Sequence, residues 1–209
     1  MGRLVYISVP NYLNTDLVGT EIPISALFQG IATEIRNLLL NNGVDAYIAS
    51  SAVKDVADRY NESIDMRSEC FIHMDVSVSG NCVEYDGSYY DSIEMGSLIS
   101  KKLSKINRKH KFARSSDLLI GPSDVPFSGI AFKYNTIEDS RYLIDHSDDI
   151  AYNIARSICS YFGIKWNYRP SNISEDEYIV YVPPVNNQIK ARTIASMLKK
   201  NSKINSKVI

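Results

Sequence analysis

The sequence predicts an α/β chain: a three-layer α/β sandwich built on a mostly parallel, twisted sheet, with a short β-α appendage at the C-terminus. Three observations carry this expectation. Short apolar runs alternate with segments of helical spacing along most of the 209 residues. The chain opens strand, helix, strand, and a right-handed crossover makes the first two strands parallel. Hydrophobic residues make up 44% and charged residues 22%, and no apolar run approaches the ~18 residues of a membrane-spanning helix. Such a composition supports a buried core and excludes both disorder and a membrane span.

Taken in order, Leu4 to Val9 is an apolar run that ends at Pro10, as suits a buried strand feeding a loop that extends to Pro23. From Ile24 to Asn42, Leu27, Ile31, Ile35, Leu38 and Leu39 recur at three- and four-residue spacing, and Asn41-Asn42-Gly43 supplies the stop of a helix. Val44 to Ala49 is the second strand. A helix is expected over 53–68, with Val56, Tyr60 and Ile64 inward, then an apolar strand from Glu69 to Val78. Asp91 to Leu103 is a helix whose basic continuation, Lys101 to Lys111, reads as a solvated end. Two strands follow, Asp117 to Ile120 and Ser128 to Tyr134, and a helix from Asp148 to Phe162 closes the domain at Gly163. Residues 1–164 thus form the main domain. Residues 165–177 have the polar, turn-rich composition of a linker, and residues 178–209 form a basic β-α tail.

The charges are unevenly spread. The whole chain is −1, yet from Val185 onward six basic residues stand without an acid, so the tail is +6 and the remainder −7. Nothing in that balance calls for nucleic acid. Cys70, Cys82 and Cys159 have neither the number nor the spacing of a disulfide framework or a metal knuckle. The N-terminus carries no charged leader or cleavage site, which leads to an expectation of cytoplasmic residence, with release to a cell wall on lysis.

In open α/β sheets function gathers beyond the carboxyl ends of strands. The polar residues there are Asn11, Tyr12, Asn14 and Asp16 after the first strand, and His73, Asp75, Ser77 and Ser79 at the end of the third. His73, Asp75 and Ser77 share parity and so point to one face. His73 with Asp75 suits a metal pair or a hydrogen-bonded pair. No phosphate-cradling glycine loop and no nucleophile elbow is present, and Ser79-Gly80 reads as an ordinary turn. Cys70 reads as an inert core thiol, and His110 and His146 as surface residues.

The segments LVYISVPNY, IATEIRNLLLNNGVDAYIAS, RYNESIDMRSECFIHMDVSVSGN and GIAFKYNTIEDSRYLIDHSDDIAYNIARSICSYFGI occur in an order that resembles the zinc-dependent N-acetylmuramoyl-L-alanine amidases of amidase type 3. The likeness covers residues 3–164. The resemblance implies a zinc ion held by His, Glu and His, with a second Glu as base. Carried over position by position, the three ligands fall at Asn11, Ile24 and Asp75 and the base near Gly129, so none of the four is kept. A shifted correspondence brings in Glu21 or His73 as rescue candidates. The implied protein is therefore a pseudoenzyme without zinc, or with zinc only in a rearranged site. It would bind peptidoglycan, its fragments or a protein partner through Asn11, Tyr12, Asn14, Asp75, Ser77 and Tyr134, with Tyr85, Tyr89 and Tyr90 as further stacking surfaces. The tail segment YIVYVPPVNNQIKARTIASMLKK resembles the first half of a glycan-binding SPOR domain, and its basicity suits a protein partner or anionic wall polymers. Two alternatives stand beside this reading: an active amidase using His73 or Asp75 with Glu21 or Asp16, and an assembly protein of a phage or spore.

Overall fold

Strand and helix alternate as the periodicities require in the computed structural model, which describes residues 3–10, 15–49, 55–86, 90–106, 110–114 and 125–167. All of these belong to one unit, Met1–Tyr168. The elements are β1 (Leu4–Ser8), α1 (Ile24–Leu40), β2 (Asp45–Ile48), α2 (Val56–Asp65), β3 (Cys70–Ser77), β4 (Cys82–Tyr85), α3 (Tyr90–Leu103), β5 (Lys111–Arg114), β6 (Phe127–Lys133), α4 (Ile137–Asp145) and α5 (Ser147–Tyr161). The strands make one sheet in the order β2-β1-β3-β6-β4-β5. β1, β2, β3 and β6 run parallel, β4 is antiparallel to β6, and β5 runs parallel to β4. This is the mostly parallel α/β sheet that the sequence predicts.

Side-chain parity divides the core into two layers. On one face Val5, Ile7, Ile72, Met74, Ile130 and Phe132 pack against Phe28 and Ile35 of α1, Met95 and Ile99 of α3, Leu143 of α4 and Ile154 of α5. The other face carries an aromatic row. Tyr6 and Phe71 stack with ring centroids 5.4 Å apart, and Phe71 and Phe127 at 5.6 Å. Tyr60 of α2 meets Phe71 edge-on at 5.3 Å, which places α2 over β1 and β3. The Tyr6 hydroxyl donates to the Glu62 carboxylate, and burial, aided by that bond, holds the phenol well above its ordinary pKa.

Four features depart from the sequence reading. β4 and β5 are strands where none was expected, and the basic run that reads as a helix end instead supplies Lys111 to an edge strand whose charges discourage further pairing. α4 was also not expected. It is opened by Thr136, whose hydroxyl accepts from the Asp139 backbone N–H at 3.1 Å. Third, α2 buries Arg59, Tyr60 and Ser63 rather than Val56, Tyr60 and Ile64, leaving Ile64 39% exposed. The helix is rotated because the Arg59 guanidinium finds buried partners on β1. Fourth, His110 is buried, not a surface residue, with its ring edge-on to Phe132 at 5.6 Å. His146 is half-buried at the α4–α5 junction, its Nδ1 3.2 Å from Asp149. The expected strand Asp117 to Ile120 and the tail 178–209 lie outside the described residues.

Candidate functional site

The strand register sets four residues side by side across the sheet: Ser8 pairs with His73, His73 with Gly129, and Gly129 with Glu84. Two residues further along, Asp75 stands opposite Ala131, and Ala131 opposite Cys82. Parity points these side chains to the face that α2 partly covers. Gly129, which is buried, and half-buried Ala131 place no bulky side chain between the polar side chains of β3 and β4. A methyl at Gly129 would meet the Phe127 ring at 3.3 Å, so the aromatic row already fills the space beside it.

One hydrogen-bonded chain runs through this row. Arg59, 0% exposed, donates from Nη1 to Ser8 Oγ at 2.9 Å and to the Val9 carbonyl at 2.6 Å. Ser8 Oγ lies 2.9 Å from His73 Nδ1. A guanidinium can only donate, so the hydroxyl accepts from Arg59, and the Ser8–His73 contact takes its direction from the ring tautomer. The other ring nitrogen, Nε2, faces Asp75 Oδ2 at 3.5 Å. Asp75 also accepts from the Val76 N–H at 2.7 Å through Oδ1. The sequence of groups is that of a Ser-His-Asp relay with the ring reversed, but Ser8 is 0% exposed and cannot reach a substrate. Only the outer end of the chain meets solvent: the His73 side chain is 10% exposed and that of Asp75 30%.

The positions singled out in the sequence separate as follows. His73, Asp75 and Ser77 share one face of β3, as their parity requires, and Ser77 Oγ is 2.8 Å from Ser79 Oγ. Ile24 is the first residue of α1 and lies in the main core, 1% exposed. Glu21 and Asp16 are exposed in the segment before α1. Among the described residues no three of His, Cys, Asp and Glu stand close enough to hold a metal ion, so Glu21 does not complete a set with His73 and Asp75. Tyr134 is half-buried against the main core. Tyr85 pairs with Ser128 at the amino end of β6, whereas Tyr134 follows its carboxyl end, so strand rise separates them by roughly 20 Å. Tyr90 opens α3 and is 75% exposed. Tyr85 and Tyr134 therefore do not share a groove. Asn11, Tyr12, Asn14 and Tyr89 lie outside the described residues.

Sequence reasoning missed Arg59, Ser8 and Glu84. The one available signal was Arg59, a cation three residues from Val56 on a helix expected to be buried. The thiols offer no nucleophile: burial pushes Cys70 and Cys82 up, and Cys159 up to about 11. No helix among the described residues is long and apolar enough to cross a membrane.

No family model matches the chain, and no curated protein matches it by sequence. Solved structures do match. The catalytic domain of the N-acetylmuramoyl-L-alanine amidase CwlV from Bacillus (Paenibacillus) polymyxa var. colistinus superposes with a TM-score of 0.65 at 13% identity, over 78% of this chain and 99% of that one. The N-acetylmuramoyl-L-alanine amidase AmiC2 of Nostoc punctiforme gives 0.63 at 15% identity, over 78% and 98%. The catalytic domain of the CD27L endolysin, which targets Clostridia difficile, gives 0.55 at 17% identity, over 76% and 97%. Residues that alternate strand with helix and stack four parallel strands beside a reversed pair thus build the fold shared by N-acetylmuramoyl-L-alanine amidases.

Proposed function

We propose that this protein is an amidase-fold, peptidoglycan-related protein that works by binding rather than by zinc-dependent hydrolysis. The observation that carries the reading is the chemistry of the donor set. The resemblance assigns the ligand and base positions to Asn11, Ile24, Asp75 and Gly129. Ile24 is an apolar core residue, and Gly129 has no side chain to move a proton. The imidazole next to Asp75 has Nδ1 engaged by Ser8 and Nε2 turned toward a carboxylate. Zinc needs three such donors convergent and free, so the residues present do not fit the ion. What remains is a recognition surface. The His73 and Asp75 side chains, 10% and 30% exposed, offer a polar edge at the carboxyl end of β3 to the hydroxyls and amides of a wall fragment. The +6 tail would add attraction to anionic wall polymers or to an acidic protein partner.

The test is co-sedimentation of the full-length protein with insoluble bacterial peptidoglycan, run beside a turbidity assay on the same walls and zinc analysis of the purified chain. Retention on the walls with unchanged turbidity and no stoichiometric zinc is the expected result. Clearing of the suspension by a protein that carries bound zinc would replace this reading with that of an active amidase. Absence of retention would remove the wall as the ligand.

A further inference from the structure

A second site, independent of the His73 row, lies at the amino ends of the strands, about 20 Å along β3 from Asp75. A cleft of about 440 Å³ opens there. Glu69, just before β3, and Asp91 and Glu94, in the first turns of α3, line it with three carboxylates, against one guanidinium from Arg3. The lining is therefore −2, which repels anions and attracts cations. Tyr161 and Phe162 at the end of α5, with Pro126 before β6, form an apolar wall.

Two further observations point to a ligand. Ser68 lines the cleft, is 6% exposed, and has a hydroxyl oxygen with no hydrogen-bond partner among the described residues, a buried polar atom that a donor on a ligand would satisfy. Arg3 displays the recognition mode in the protein itself: its guanidinium carbon sits 4.6 Å over the Phe162 ring while Nη1 lies 3.7 Å from Glu69. A cation is thus held between a carboxylate and an aromatic face. The donor geometry separates organic from inorganic cations. Among the described residues no three carboxylates, imidazoles or thiols approach closely enough to grip a metal ion. Spread carboxylates beside an apolar wall suit instead an ammonium group that reaches them on an aliphatic stem.

We infer that this cleft binds a primary ammonium carried on an aliphatic arm, as in a free diamine or a lysine-type side chain. The inference does not depend on the wall-binding reading, because it uses different residues at the opposite end of the sheet.

The experiment is a nuclear magnetic resonance titration of the isotope-labelled full chain with cadaverine, with Nα-acetyl-lysine amide, and with the uncharged Nα-acetyl-norleucine amide. Saturable shifts centred on Ser68, Asp91 and Glu94 are expected with an ammonium compound and not with the norleucine control. A response to cadaverine and the lysine amide alike identifies the ammonium arm as sufficient; a response to the lysine amide alone identifies a peptide-borne arm. The double variant Asp91→Asn, Glu94→Gln should weaken binding about fivefold, the loss of two partly exposed charge pairs. Raising the salt to about 0.5 M should weaken it similarly, which keeps the test decisive if the variant does not fold. Equal response to the norleucine control, no saturable response to either amine, or affinity unmoved by both salt and the double variant would overturn the proposal.

Discussion

Ser8 and Ser128 provide a matched pair of perturbations. Both sit on strands of the same sheet and both are 0% exposed, so truncation to Ala removes the same hydroxyl from the same degree of burial. Their partners differ. Ser8 Oγ accepts from the Arg59 guanidinium and bonds His73 Nδ1, each at 2.9 Å. A hydrogen bond to a charged group contributes about 1.5–3 kcal/mol and a neutral one about 0.5–1.5 kcal/mol, so Ser8→Ala should cost about 2–4 kcal/mol. Ser128 Oγ has no partner. Its removal relieves a buried, unsatisfied oxygen, so Ser128→Ala should be neutral or stabilising by up to ~1 kcal/mol. Urea unfolding followed by circular dichroism measures both. With slopes of about 2 kcal/mol per molar, the Ser8 variant should unfold about 1–2 M earlier than the parent and the Ser128 variant no earlier. Equal shifts for the two variants, or an unchanged midpoint for Ser8→Ala, would refute the hydrogen-bond chain.

Three other outcomes follow from the packing and the thiols. Burial raises Cys159 to about 11 from its ordinary 9.0, so the folded state holds the proton longer than the unfolded one. Its contribution is complete below pH about 9 and is lost as pH rises to about 11, worth roughly 2–3 kcal/mol; melting temperature against pH should fall less steeply in Cys159→Ala. Ile24→Glu, which puts a carboxylate at the core position where the resemblance places a zinc ligand, should destabilise by about 3 kcal/mol or more in urea and recruit no zinc, since the charge is buried without a partner. Asp75→Ala should change stability by about 1 kcal/mol or less and leave wall retention measurable, because the Asp75 side chain is 30% exposed; complete loss of retention in sedimentation would assign it a dominant role.

The sequence is most informative where periodicity is local. α1, β3, β6 and α5 appear within a residue or two of their expected bounds, since each carries enough apolar spacing to declare its own geometry. β4 does not. Four residues, Cys82–Tyr85, are too few to show alternation, and their direction is set by pairing with β6, which enters the chain some forty residues later. α4 left a usable trace in the Thr136–Asp139 spacing, a cap followed three residues on by a carboxylate. The shared face of His73 and Asp75 was legible from parity alone. Their link to Ser8 and Arg59 was not, because it depends on which strand neighbours β3 and how α2 is rotated, and a cation on a short helix reads by default as solvent-facing.

The buried guanidinium of Arg59 has an effect at a distance. Through the Ser8 oxygen it is linked to the imidazole, so the protein's outer edge holds a ring nitrogen and, 3.5 Å away, a carboxylate oxygen. Turning the ring over would forfeit the bond between Nδ1 and Ser8. A permanent charge sealed in the interior thereby helps hold a surface imidazole in its place.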